Sequence, residues 1–221
     1  MSHIDDLIRD LCPDGVEYKT LGEICRIRNG SDYKANGDGE VPVYGTGGIM
    51  TTSGRSIHPG PSVLIPRKGS LNKLYYVDNP FWVVDTIFYT EIDQTRVLPK
   101  YLFHLLLTQH LEDLNEAGGV PSLTQTVLNK LLLPIPPLEV QRAIVEILDS
   151  FTKLEAELEA ELEARRKQYA HYRDALLTFP RGVRWLTLGD VCTKVSSGGT
   201  PLASRRDYYD GDNPMAPNPG S

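Results

Sequence analysis

The chain has 221 residues, 40% of them hydrophobic, and its 23 Lys and Arg against 29 Asp and Glu leave a formal charge of −6. At roughly 150 residues per domain this is one domain and a remainder, with enough apolar content for a packed core, which excludes an isolated disordered acidic tail. The negative charge excludes coating of nucleic acid or anionic membrane by bulk attraction, so any nucleic-acid site has to be local.

The first residues, Met1 to Asp6, are charged, with neither the basic nor the apolar region of a secretory signal, and no run of 18 apolar residues follows. A cytoplasmic protein with no membrane partner is expected. Ile4, Leu7, Ile8 and Leu11 recur at helical spacing and predict a short amphipathic helix stopped by Pro13. From Thr20 to about Tyr89, short apolar runs (Val41–Tyr44, Ser62–Ile65, Leu74–Val77, Trp82–Val84, Thr86–Tyr89) alternate with Gly, Pro, Asn and Asp, which predicts a compact, mostly-β domain. Within it, Tyr44-Gly-Thr-Gly-Gly48 reads as a turn rather than a phosphate cradle. Asn79-Pro80-Phe81-Trp82 faintly resembles a base-gripping methyltransferase motif but lacks its second proline, and reads as a hairpin turn.

A helix is predicted over Pro99–Asn115, a break at Gly118–Ser122, a short helix over Leu123–Lys130 and an extended segment over Leu131–Pro137. Leu138 to Phe179 contains no Gly or Pro and is rich in Glu, Leu, Ala, Arg and Lys, so it reads as one helix of roughly 60 Å. Its apolar seam runs Ile144, Ile147, Phe151, Leu154, Leu158, Leu162, Tyr169, Tyr172, Leu176 and Phe179, a coiled-coil stripe with one extra four-residue step. Such a stripe calls for a partner helix. The predicted class is α+β: a compact, mostly-β domain with flanking helices, then a long coiled-coil helix.

The remainder is explained by a repeat. Pro13–Cys25 returns as Pro180–Cys192, with identity at Pro13/Pro180, Gly15/Gly182, Val16/Val183, Thr20/Thr187, Leu21/Leu188, Gly22/Gly189 and Cys25/Cys192. The chain thus reads as one full copy and the start of a second, ending in a Pro/Gly/Asn-rich stretch, Asp210–Ser221, expected to be mobile.

No catalytic constellation emerges. Cys12, Cys25 and Cys192 are odd in number and far apart, and the five histidines form no metal-binding pair. Glu155, Glu157, Glu159, Glu161 and Glu163 alternate, so on a helix they spray around the cylinder and read as a solvated surface. Neither a phosphate-binding loop nor a nucleophile elbow is present. No metal or cofactor is expected. Between Val41 and Val77, however, there is no Asp or Glu, while Arg55, Arg67, Lys68 and Lys73 are all present among Gly, Ser, Thr, Asn and Tyr. Those are materials for a duplex-binding face, since cations meet phosphates and guanine edges while small polar groups meet phosphates and adenine. A charge fluctuation on a solvated sheet accounts for the composition equally well.

Several segments resemble a known family. Thr20–Cys25, Val41-Pro-Val-Tyr-Gly-Thr-Gly-Gly48, Val63-Leu-Ile-Pro-Arg-Lys-Gly-Ser70 and Pro80–Thr86 resemble a target recognition domain of type I restriction-modification specificity subunits. Ser122-Leu-Thr-Gln125 and the run Leu131–Leu148, with Pro-Pro-Leu-Glu-Val-Gln-Arg-Ala-Ile-Val, resemble the passage into that family's spacer helix. The resemblance implies a target recognition domain over residues 1–136, a spacer and dimerisation helix over 137–179, and the truncated start of a second recognition domain over 180–221. It implies a non-catalytic subunit that binds double-stranded DNA and holds methyltransferase subunits and a restriction/translocase subunit. Arg67, Lys68, Ser70 and Lys73 are the main contact candidates, with Tyr44, Thr46, Arg55 and Gln125 behind them. Family members usually have two recognition domains and two antiparallel helices, so a chain with one of each implies a half-subunit, most simply completed as a homodimer on a palindromic bipartite site. The alternatives are a stand-alone DNA-modifying enzyme and a structural or decoy coiled-coil protein with a degenerate recognition domain.

Overall fold

The computed structural model describes residues 3–114, 121–179 and 182–194. They fall in two compact units, Met1–Leu162 and Glu163–Ser221.

In the first unit, α1 (His3–Leu11) carries Asp5 and Asp6 in its first turn and Arg9 in its last, each charge favourable to the helix dipole. β1 (Tyr18–Thr20) pairs antiparallel with β9 (Leu132–Pro134), which ties the start of the domain to its end. α2 (Leu21–Ile24) follows β1 directly, its entry fixed by a capping box in which Glu23 accepts from the Thr20 amide and hydroxyl, both at 2.6 Å. Those bonds to Thr20 hold the Glu23 carboxyl below its ordinary range.

Two sheets form the body. One has four antiparallel strands in the order β2 (Cys25–Asn29), β8 (Ile87–Ile92), β5 (Ser62–Pro66), β6 (Tyr75–Val77). The other has three, β4 (Gly48–Ser53), β3 (Val41–Gly45) and β7 (Trp82–Val83), with β3 and β7 parallel. Because strand side chains alternate between faces, β5 feeds two cores: Val63 and Ile65 enter the larger one, Leu64 the smaller. The larger core also takes Leu21, Ile24, Phe88 and residues of α3 (Pro99–Leu107) and α4 (Gln125–Asn129), whereas the smaller is built from Val77, Phe81, Val83, Ile87 and Tyr89. Ser62 and Thr90 are buried where β5 and β8 pass the end of their regular pairing. The Ser62 hydroxyl donates to the Thr90 carbonyl at 2.8 Å, and the Thr90 hydroxyl accepts from the Val63 amide at 2.9 Å.

The predicted β runs are all present, and β1, β2 and β4 are added to them. Asn79–Trp82 is not a hairpin turn. It carries the chain from one sheet to the other, because β6 and β7 belong to different sheets, and Phe81 is fully buried. The helix expected over Pro99–Asn115 ends at Leu107; His110 takes a positive φ of 46° and a 3₁₀ turn covers Leu111–Leu114. α4 begins two residues later than expected because the Thr124 hydroxyl caps it, accepting from the Val127 amide. The predicted break at Gly118–Ser122 lies outside the described residues except for Pro121 and Ser122.

The long helix α5 covers Leu138–Leu176, and its last residues belong to the second unit. It stops three residues short of the expected Phe179, since a residue before proline is disfavoured in the helical region. Among the described residues no helix is long and apolar enough to cross a membrane. In the second unit, α6 (Leu188–Val191) repeats α2 in detail: Asp190 accepts from the Thr187 amide at 2.9 Å and hydroxyl at 2.7 Å, and Gly182 shares with Gly15 a positive φ. Leu188 and Val191 are exposed where their counterparts Leu21 and Ile24 are buried. The remainder of the second copy, including Asp210–Ser221, lies outside the described residues.

Candidate nucleic-acid interface

The loop between β5 and β6 holds the four main contact candidates, Arg67, Lys68, Ser70 and Lys73. Its start is braced on two sides: the Arg67 amide donates to the Thr86 carbonyl at 2.8 Å, and the Arg67 carbonyl accepts from the Leu123 amide at 2.9 Å. Lys68 forms an isolated bridge with Ser122, and the Gly69 amide donates to the Pro121 carbonyl at 3.1 Å. Gly69 then turns the chain at a φ of 83°, a conformation that side chains disfavour. Leu71 and Leu74 plunge into the larger core, which leaves Lys68, Ser70, Asn72 and Lys73 exposed between and before them.

Thr46, in the β3–β4 turn, joins this group. Its hydroxyl bonds that of Thr86 at 3.3 Å and its carbonyl accepts from the Tyr75 hydroxyl at 3.0 Å. Arg67 lies with its guanidinium 5.8 Å from the centre of the Phe88 ring. Asn29 stands opposite Phe88 in the sheet and accepts from the Gln125 side chain at 3.3 Å. Thr46 and Arg67 therefore share Thr86, Arg67 and Lys68 share the segment 121–123, Ser70 and Lys73 follow on the same loop, and Gln125 is tied to Asn29 of the same sheet.

Tyr44 and Arg55 are placed differently. Tyr44 is half-buried against Tyr75 and Phe81, at centroid distances of 6.0 and 6.5 Å, and its ring packs on the smaller core. Burial, helped by the charge of Asp78, pushes its hydroxyl pKa up. Arg55 follows β4 at the end of the hairpin away from the Thr46 turn, near Ser53, whose hydroxyl donates to its carbonyl. Among the described residues none of Arg55, Arg67, Lys68 and Lys73 is ion-paired, whereas Arg28 and Lys100 meet Glu91 and Asp149 at 3.1 and 2.5 Å. Asn29, Thr86 and Ser122 are neighbours that a scan for charge passes over. Thr86 and Ser122 lie in segments carrying the family resemblance, while Asn29 is visible only once the strands are paired.

An open groove of about 590 Å³ is lined by Arg26, His58, Glu91, Asp93 and Arg96, among others. Its carboxylates and its histidine are committed: Glu23 to Thr20, Glu91 to Arg28, Asp93 to the Thr95 hydroxyl at 2.6 Å, and His58 through Nδ1, which accepts the Gly60 amide at 3.0 Å. The buried Cys25 thiol is pushed up to about 12 by desolvation, the opposite of an activated nucleophile. Among the described residues no group of His, Cys, Asp or Glu is arranged to hold a metal.

The seam of α5 divides at its first turns. Ile144 packs against the larger core of its own domain, whereas Ile147, Leu154, Leu162, Tyr172, Leu176 and Phe179 are exposed, as are Phe151 at 63%, Leu158 at 57% and Tyr169 at 68%. Phe151, Leu154, Leu158 and Leu162 line one shallow apolar depression, and the alternate glutamates stand in solvent around it.

Residues 13–164 match the family described as type I restriction modification DNA specificity domain. The chain is 38% identical over 130 residues, 55% of its own length, to the Escherichia coli type I restriction enzyme EcoR124I/EcoR124II specificity subunit, covering 31% of that protein. It is 30% identical over 215 residues, 88% of its length, to a putative type I restriction enzyme specificity subunit of Haemophilus influenzae, covering 56% of it. The chain therefore spans between 31% and 56% of the length of these relatives. In fold it is similar to the crystal structure of a type I S subunit from M. genitalium, with a TM-score of 0.58 at 17% identity, covering 73% of this chain and 47% of that one. The HsdS subunit from Thermoanaerobacter tengcongensis gives a TM-score of 0.54 at 19% identity, covering 78% and 49%.

Proposed function

We propose that this chain, which belongs to the type I restriction-modification DNA specificity family, reads one half of a bipartite double-stranded DNA target and itself performs no chemistry. The observation that carries the reading is the braced loop from Arg67 to Leu74, whose cations have no acidic partner among the described residues and whose neighbours Thr46, Ser70, Thr86 and Ser122 are small and polar. Held rigidly, such a loop presents phosphate and base-edge ligands together without a large ordering cost on binding. Lys68 and Lys73, exposed and flexible, suit phosphates. Arg67, its guanidinium constrained beside Phe88, suits a fixed bidentate contact.

The bases are methylated and the DNA cut by methyltransferase and restriction/translocase subunits that this subunit positions. Two copies pair their α5 helices antiparallel, covering the stripe from Ile147 to Leu176 and placing identical recognition domains at the two ends. The test is methylation mapping by long-read sequencing in a cell expressing the chain with its cognate methyltransferase. Two identical inverted half-sites at one fixed gap are expected. An asymmetric site contradicts the pairing of identical copies, and methylation without sequence preference contradicts the specificity role.

A further inference from the structure

Gln141 is a polar side chain with no exposure at all, on the second turn of α5. Its carbonyl oxygen accepts the Leu98 amide at 2.8 Å, and its amide nitrogen donates to the Arg96 carbonyl at 2.9 Å and the Pro136 carbonyl at 2.8 Å. Leu98 caps α3, so one glutamine joins the start of α5, the segment before it and the start of α3. Two turns further on, Asp149 meets Lys100 at 2.5 Å and His104 at 3.8 Å, both on α3. Gln141, Val145 and Asp149 are spaced by four, so they lie on one face of α5, with Val145 packed on the larger core between the two polar contacts.

Apolar packing alone would hold α5 against α3 with little penalty for small rotations or slides. Three directional bonds from a desolvated amide do not allow this, because each displacement strands a buried donor or acceptor, and the half-exposed ion pair about 12 Å along the same face adds a second point that a slide or rotation pulls apart. We infer that Gln141 and the Lys100–Asp149 pair are positioning residues that set the direction in which α5 leaves the recognition domain, and through it the gap between the two half-sites. The inference rests on the bipartite reading above. Its leverage is large: over a helix of about 58 Å, a tilt of about 5° at the anchor moves the far end by about 5 Å. One base pair advances only about 3.4 Å along the duplex, so the anchor has to be stiff if the gap is to be fixed to one length.

The test is the methylation mapping described above, applied to the complete methyltransferase complex carrying Gln141→Met and, separately, Lys100→Ala with Asp149→Ala. The second variant alters side chains that are about 40% exposed and leaves the core untouched, so it decides the matter if Gln141→Met does not fold. The expected result is unchanged half-site sequences with the gap spread to one base pair shorter and longer. A merely structural role lowers methylation at every site and leaves the gap single; that result, in whichever variant folds, overturns the inference. Wild-type methylation lacking any bipartite site overturns the functional reading and this inference together, whereas a wild-type bipartite site with unmoved variant gaps overturns this inference alone.

Discussion

Replacing Phe151 and Leu158 by glutamate should abolish self-association. In the single chain these side chains are 63% and 57% exposed, so somewhat over half of each remains for a partner helix to cover. Full burial of such a side chain is worth about 1.5–3 kcal/mol, and covering the remaining part about 1–2 kcal/mol. In a dimer with a dyad each position occurs twice, so Phe151→Glu with Leu158→Glu removes about 4–8 kcal/mol before any cost of burying the new carboxylates. That weakens the dimer by about a thousandfold or more in Kd. Glutamate is a good helix former, so α5 itself should survive, which circular dichroism checks. Sedimentation equilibrium at micromolar concentrations should give a dimeric wild type and a monomeric variant. A monomeric wild type, or a variant that associates as tightly as the wild type, refutes self-pairing through this stripe.

Lys68→Ala combined with Lys73→Ala should lower affinity for every duplex and reduce the slope of log K against log salt by up to about two, since each phosphate neutralised adds about 0.9 to that slope; fluorescence anisotropy over a salt series measures this, and an unchanged slope removes the loop as the site. Thr90→Val strands the Val63 amide in the interior, while the Ser62 hydroxyl keeps its bonds to the Thr90 backbone, and should cost about 1–3 kcal/mol in urea unfolding; a neutral result means the Thr90 hydroxyl contributes nothing net. His58 is held below the ordinary imidazole pKa chiefly by burial, with Glu91 acting in the opposite sense, and its Nδ1 must be unprotonated to accept the Gly60 amide. The unfolded chain takes up this proton more readily, so the contribution is complete above about pH 6.5 and is lost as pH falls from there through the lower folded value. His58→Asn, which keeps an acceptor, should flatten that part of the pH profile of unfolding; an identical profile in the variant shows that another group titrates there.

Where hydrophobic period and chain punctuation act locally, the fold is legible from the residues. The runs at Val41, Ser62 and Ile87 are strands, and the seam from Ile147 onward stands on one face of a real helix. β4 is not legible, because Ile49, Met50, Thr51 and Thr52 are all exposed and no alternation marks it. The acid-free window from Val41 to Val77 groups four cations in sequence, yet the hairpin carries Arg55 to the end away from Thr46 while Arg67, Lys68 and Lys73 stay together on one loop. Nearness in sequence is undone whenever a strand intervenes, and the partners Asn29, Thr86 and Ser122 come from three other segments. In the sequence Gln141 is visible only as part of a motif. Glutamine is ordinarily a surface residue, and nothing local announces that three backbone groups from elsewhere will close around it.

Whether this chain specifies a DNA sequence is read out in the pattern of methylated bases in cells that express it with a cognate methyltransferase. One bipartite motif with a fixed gap should be present with the wild-type chain, absent without it, and lost or weakened when Arg67 and Lys73 are replaced. Methylation that is the same with and without the chain contradicts a specificity role.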